Sequence, residues 1–244
     1  MNQFEQYRRR FLGGALATAG AAMVPGLMLV EMAHSRAPDE PASSRHRWGL
    51  LIDTTKCASG CNECVTACSR ENGWTHKESY GPQDSQWIRK VELTHKQTGA
   101  KHSLPVMCQH CEHPPCVDVC PTGASFKRAD GIVLVDRHIC IGCRYCMMAC
   151  PYKARSLVHE DINDTQLAHM PRGKGCVESC TLCMHKIDAG DNTTACAQAC
   201  PEQAILFGDL NDAGSEIAQR LATYASKEIR ADLGLNTGVR YTGI

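Results

Sequence analysis

The chain is short of the side chains that usually dominate a protein core. Aromatic residues make up only 5% of its 244 residues, and these normally supply much of the buried apolar area. It also lacks an excess of either charge. Its 26 Lys and Arg balance 26 Asp and Glu, so nothing in the composition points to nucleic acid. No Ser–His–Asp or paired-carboxylate constellation can be placed along it. What it has instead is cysteine, 17 in all. Metal–thiolate bonds can supply the missing cross-linking, because metal binding is coupled to folding.

So many cysteines mean a disulfide scaffold in a secreted chain and a metal protein in a cytosolic one. The N-terminus therefore carries weight. It reads Tyr7-Arg8-Arg9-Arg10-Phe11-Leu12, followed by a charge-free stretch from Phe11 to Val30. An arginine pair ahead of Phe-Leu and a mild apolar run is the pattern of a twin-arginine export signal. The run is long enough for a membrane span, but it is rich in Gly and Ala and is broken at Pro25. The expectation is an export signal over residues 1–37 and a periplasmic destination. Cleavage is open: Ala33-His34-Ser35 offers a site, while cutting after Ala37 would leave Pro38 next. An uncleaved anchor would keep the same orientation, with Arg8 to Arg10 cytoplasmic. Gly13, Gly14 and Gly20 belong to this signal, so no nucleotide loop is read there. Twin-arginine transport carries folded proteins, so metal can be inserted before the thiols meet an oxidising compartment.

After a polar linker, Pro38 to His46, the body begins near Arg47. Strands are expected at Trp48 to Asp53, Ile132 to Val135, Ser156 to His159 and Ala204 to Gly208. Asp212 is expected to cap a helix running to about Ala225, with Ile217, Leu221 and Ala222 on one face. The stretch beyond it, to Ile244, carries no readable chemistry and is expected to wrap the body or meet a partner.

The cysteines fall into four groups that repeat in spacing. The third, Cys140-Ile-Gly-Cys143-Arg-Tyr-Cys146-Met-Met-Ala-Cys150-Pro151, is the C-x2-C-x2-C-x3-C-P run of bacterial ferredoxins, whose fourth cysteine serves the other cluster of a pair. Three thiolates from one tight loop converge on one cubane, and Gly142 permits the backbone turn this needs. The second group has Cys108, Cys111, Cys116 and Cys120. The fourth has Cys180, Cys183, Cys196 and Cys200, and the first has Cys57, Cys61, Cys64 and Cys68. All four end in C-x3-C. These sixteen cysteines are the candidate ligands, as iron-binding thiolates of four [4Fe–4S] clusters. Cys176 is left over and reads as a spare thiol.

The segments Cys-Gln-His-Cys-Glu-His-Pro-Pro-Cys (108 to 116) and Cys-Ile-Gly-Cys-Arg-Tyr-Cys-Met-Met-Ala-Cys-Pro-Tyr (140 to 152) carry a resemblance. From Arg47 to Gly208 the chain resembles the four-cluster iron–sulfur subunits of membrane-associated respiratory oxidoreductases, such as dimethyl sulfoxide, polysulfide and tetrathionate reductases. The resemblance implies an α+β protein of two ferredoxin-like units, one inserted within the other, behind an N-terminal export signal. The outer unit would comprise residues 38–100 and 161–210, the inserted unit 101–160, and a C-terminal helix and tail 211–244. It also implies shared ligands. Cys57, Cys61 and Cys64 would join Cys200, and Cys180, Cys183 and Cys196 would join Cys68. Cys108, Cys111 and Cys116 would take Cys150, and Cys140, Cys143 and Cys146 would take Cys120. Such a subunit is a non-catalytic electron carrier.

The opening Cys-Ala-Ser-Gly-Cys-Asn-Glu-Cys, the Gly73-Trp74 segment and the Val239-Arg240-Tyr241 tail add a subfamily resemblance, to the DsrO type of the DsrMKJOP complex of sulfur metabolism. That implies as partners an NrfD-type quinone-interacting membrane subunit (DsrP), a multihaem cytochrome c (DsrJ), and the DsrM and DsrK subunits. The same module could instead serve a molybdopterin reductase or a hydrogenase.

Other chemistries fit less well. Cysteines this close rarely meet disulfide geometry, and their number is odd. Structural zinc takes four ligands in two pairs rather than these runs. Cys57-x3-Cys61-x2-Cys64 has the spacing of enzymes that cleave S-adenosylmethionine, but those need an open iron, and Cys68 and Cys200 are at hand. Met184 stands where covalent haem attachment would need histidine. His110, His113, His138 and His185 are expected as hydrogen-bonding neighbours of the ligands or as surface groups. Arg144, Tyr145, Lys153 and Lys186 are candidates to offset thiolate charge.

Overall fold

Burial of Leu50, Leu51 and Ile52 on successive positions marks the first strand, β1 (Trp48–Asp53), as the centre of a sheet rather than an edge. The computed structural model describes residues 40–75, 77, 81, 83–162 and 166–244, so the expected export signal lies outside the described residues. On one side β1 pairs antiparallel with β8 (Ile205–Asp209), setting Leu50 opposite Phe207 and Ile52 opposite Ile205. On the other side it runs parallel to β9 (Val239–Thr242), setting Leu50 opposite Val239 and Ile52 opposite Tyr241. Val239 and Tyr241 are fully buried, so the tail contributes a core strand.

Three small antiparallel pairs complete the described sheets. They are β2 (Ile88–Thr94) with β3 (Lys101–Met107), β4 (Ser125–Lys127) with β5 (Val133–Val135), and β6 (Ser156–Leu157) with β7 (Val177–Glu178). Between them lie short helices: α1 (Glu63–Asn72), α2 (Pro115–Asp118), α3 (Tyr145–Ala149), α4 (Met184–Asp188) and α5 (Ala195–Gln198). None of the described helices is long and apolar enough to cross a membrane.

The last helix, α6 (Glu216–Thr223), corrects the sequence expectation. Its N-cap is Ser215, whose hydroxyl accepts the Ala218 N–H at 3.2 Å, a donor otherwise left unsatisfied at a helix start. Asp212 instead accepts the Gly214 N–H and forms the turn ahead of the helix. Ile217 is fully buried, but Ala222 is exposed and the helix ends at Thr223.

A buried ion pair braces one side of the body. Arg172 reaches both carboxylate oxygens of Glu178, at 3.0 and 2.6 Å, and donates to the Gly73 carbonyl just past α1. Each nitrogen of that guanidinium thereby has an acceptor, which makes its burial tolerable.

Candidate metal centres

The cysteine groups share a backbone device that spacing alone does not reveal. In each, the residue before the second cysteine is left-handed: Gly60 (φ 77°), His110 (φ 44°), Gly142 (φ 67°) and Leu182 (φ 54°). In three, the third residue after the last cysteine is left-handed too: Gly123, Lys153 and Gln203. Left-handed backbone costs a side-chain-bearing residue about 1–2 kcal/mol, so His110, Leu182, Lys153 and Gln203 hold strain at equivalent places. Such turns reverse the chain around each loop and gather its thiols. Gly142 is the tightest case. A Cβ there would lie 2.2 Å from the Gly175 carbonyl oxygen.

The helices carry the remaining thiols. Cys64 and Cys68 lie one turn apart on the buried face of α1. Cys116 sits in α2, Cys146 in α3 with Cys150 as its C-cap, and Cys196 in α5, whose N-cap hydroxyl of Thr194 also meets the Cys196 sulfur at 3.2 Å.

Two regions of thiols result. In the outer region, Cys64 lies within electrostatic reach of Cys196, Cys57 and Cys200. Cys68 feels Cys196 and Cys183, and Cys180 feels Cys68, Cys196 and Cys183. In the inner region, Cys111 feels Cys108, Cys116 and Cys150, while Cys146 feels Cys140 and Cys120. Cys120, Cys140, Cys143 and Cys146 line one small cavity. Within each region the groups adjoin, Cys64 beside Cys196 and Cys116 beside Cys146. Cys61 is half-buried, with its N–H on the Ala58 carbonyl.

Burial pushes most of these thiols up. Cys64, Cys108 and Cys183 are each raised to about 12, and Cys68 and Cys180 well above the ordinary range, with neighbouring thiolates adding to the effect. Cys120 is the exception. Slight burial raises it, but the Ser125 N–H at 3.3 Å and the Thr122 hydroxyl stabilise the thiolate and bring it below the usual value. Further N–H groups point at sulfur: Val177 at Cys140, Leu182 at Cys180, Ala195 at Cys183 and Ala204 at Cys200. Gathered thiols that resist ionising alone, yet are supplied with donors for the thiolate, suit binding to a cation, which deprotonates a coordinating thiol outright. The donor set of thiols in fours fits [4Fe–4S] clusters.

Two cations beside these thiols have no sequence signal. Lys90 in β2 donates to the Cys57 sulfur and to the Ala58 carbonyl, both at 3.0 Å. Arg155 is buried beside Cys116, Cys108 and Cys146. Of the expected histidines, His110 is fully enclosed, and burial together with the Arg155 charge lowers it to about 3. Its Nδ1 accepts the Val133 N–H at 3.1 Å, so the ring ties the second cysteine loop to β5. His185 pairs with Glu71 at 2.7 Å. The Cys176 thiol donates to the Arg137 carbonyl at 3.2 Å, and it lies beside Cys140 rather than in the fourth group's own set.

Models of the 4Fe-4S dicluster domain match residues 50–124 and 100–210. The chain is 38% identical, over 266 residues, to the Hdr-like menaquinol oxidoreductase iron–sulfur subunit 1 of Archaeoglobus fulgidus, covering 96% of this chain and 97% of that one. This chain belongs to the 4Fe-4S dicluster iron–sulfur subunits of oxidoreductases. A tetrathionate reductase subunit of Salmonella typhimurium is 37% identical over 244 residues, 97% of this chain and 88% of its own. A sulfite dehydrogenase subunit of Allochromatium vinosum is 38% identical over 209 residues, 79% and 81% of the two chains. As an iron–sulfur subunit of this family the protein bears [4Fe–4S] clusters and serves electron transfer. The family resemblance of the second and third cysteine groups is thus correct.

Proposed function

We propose that this subunit carries four [4Fe–4S] clusters and passes electrons, in the periplasm, between a quinone-interacting membrane subunit and a second redox partner. Cys57, Cys61, Cys64 and Cys200 hold one cluster, and Cys180, Cys183, Cys196 and Cys68 its neighbour. Cys108, Cys111, Cys116 and Cys150 hold the third, and Cys140, Cys143, Cys146 and Cys120 the fourth. Cys176 stays a thiol. The observation that carries this reading is the grouping of thiols into two regions, within each of which the sets adjoin. When bound, such clusters supply one-electron chemistry at potentials set by charge, hydrogen bonds and solvent. The chain's own residues do the rest. The left-handed turns fix the thiols, backbone N–H groups aim at sulfur, and Lys90 and Arg155 place positive charge beside them.

On this reading the ferredoxin-like units are nested. The outer, residues 38–100 and 161–210, is closed by β1 and β8; the inserted unit is 101–160, and residues 211–244 add α6 and β9. Residues 1–37 are the twin-arginine signal. The assembly is the Dsr complex of sulfur metabolism, with this chain as its DsrO-type member next to DsrP, DsrJ, DsrM and DsrK. The end-to-end match to a subunit named for a menaquinol oxidoreductase supports a quinone-linked role. A second reading, the electron-transfer subunit of a molybdopterin reductase, is favoured by the similarity to the tetrathionate reductase protein. A hydrogenase partner belongs with it.

Iron and acid-labile sulfide in anaerobically purified protein should each approach about sixteen per chain. Values near half that, in protein that has lost no cluster, would overturn the four-cluster reading. Gentle-detergent capture from native membranes, with haem staining and molybdenum analysis, separates the assemblies. A c-type cytochrome and an NrfD-type subunit without molybdenum support the first, and a large molybdenum-containing partner the second.

A further inference from the structure

Arg155 is only 4% exposed, yet its Nε, Nη1 and Nη2 are all buried without an acceptor at hydrogen-bonding geometry. Arg172, also buried, shows what a satisfied guanidinium looks like here, with Glu178 and the Gly73 carbonyl around it. No carboxylate is among the groups acting most strongly on Arg155. Those are Cys116, Cys108 and Cys146, the last making only a loose contact. An arginine cannot shed its proton, and an uncompensated buried charge is strongly destabilising. Its counter-charge must therefore come from the cysteine sites themselves.

The placement is local and specific. Cys150 caps α3, Lys153 turns the chain through a left-handed residue, and Ala154 and Arg155 then run inward before β6 begins. Cys108 and Cys116 belong to one set of the inner region and Cys146 to the other. One fixed cation thus faces both. The outer region has Lys90, but its contact is with Cys57, a half-buried residue at the edge. Positive charge in a low-dielectric site favours the form of a neighbour that carries more negative charge. For an iron–sulfur site that is the reduced form.

We propose that Arg155 is a shared positioning residue that raises the reduction potentials of the two inner sites together and leaves the two outer sites unchanged. The inference rests on the cluster reading of the inner cysteines. It makes the inner pair easier to reduce than its ligands alone would dictate. No redox partner is needed for the effect.

The test uses the full-length protein with its clusters, as Arg155→Gln and Arg155→Lys. Iron and sulfide are measured first, then the midpoint of each site by redox titration followed by electron paramagnetic resonance. In Arg155→Gln, two of the four sites should move to lower potential. At a fixed poise their reduced-to-oxidised ratio should fall about tenfold or more, about 59 mV for one electron. In Arg155→Lys, the same two sites should shift in the same direction by less. If Arg155→Gln fails to retain iron, Arg155→Lys decides: a shift confined to two sites supports the proposal. Unmoved midpoints in an iron-replete variant, or equal movement of all four, would overturn it. Parent protein without the iron and sulfide of four clusters would instead overturn the cluster reading, and so the two failures are distinguishable.

Discussion

The outer and inner thiol regions share the closing C-x3-C and the left-handed turn before each second cysteine, yet they sit in different surroundings. In the outer region Cys68 and Cys180 are buried, and the positive partner, Lys90, lies at the margin. In the inner region the charge, Arg155, is buried, while part of the Cys140–Cys150 loop faces solvent. Cys143 is open to solvent, and Ile141 and Met148 are 67% and 66% exposed. Spacing therefore specifies the mould, and the residues brought against it from elsewhere specify the electrostatics. A charge at an exposed rim is screened far more than a buried one, so the regions should respond unequally to equivalent changes.

The largest expected contrast comes from two matched glycines. Gly142→Ala meets both a left-handed φ and the Gly175 carbonyl, so the variant should lose about half its iron, that of the inner sites. Gly60→Ala faces open space and only the backbone strain of about 1–2 kcal/mol, and should keep its full complement. Iron analysis of the two variants side by side checks this; equal losses would break the comparison.

Next in size is the brace behind the outer region. Glu178→Ala leaves the buried Arg172 guanidinium with only the longer carboxylate contact, to Glu160 at 3.4 Å, at a cost of about 3 kcal/mol. Thermal bleaching of the iron chromophore should begin at lower temperature, with the outer sites lost before the inner. Magnetic resonance of partly bleached samples would show which signals survive.

A smaller effect belongs to the seam between the regions. The Tyr241 hydroxyl donates to the Pro105 carbonyl at 3.1 Å and accepts from Gln109, next to Cys108. Tyr241→Phe should cost about 1 kcal/mol, read as a shift in denaturant midpoint. Burial raises the folded pKa of this phenol above its unfolded value. Its stabilising contribution is thus complete below the ordinary tyrosine range, near pH 10, and is lost as pH climbs through the folded value. The gap between parent and Phe variant should therefore narrow above about pH 10. Smallest of all, Lys90→Gln should lower the potential of one outer site by less than the Arg155 substitution lowers the inner ones, with a difference that fades at high salt.

Much of this was legible along the chain because it is local. The cysteine runs declare themselves by spacing, and β1, β5, β6 and β8 begin within a residue or two of their apolar runs. What escaped notice depends on distant parts of the chain. The strand β9 is four residues long and becomes a strand because β1 offers it an edge. The β2–β3 pair includes Pro105, which weakens any strand signal. Lys90 and Arg155 look like any solvated cation until the fold sets them against sulfur. Asp212 and Ser215 are both good caps by composition, and only the backbone geometry at residue 215 picks between them.

The pairing of β1 with β8 and β9 bears on the order in which the molecule can be built. All inner-region thiols lie between Cys108 and Cys150, so that region can gather once this stretch has left the ribosome. The outer region must wait for Cys200, and the sheet beneath it for residues 239–242. Such distant pairings are slow to form. Iron should accordingly enter the inner half of a newly made chain first, and a chain halted before Cys180 should carry inner-half iron alone.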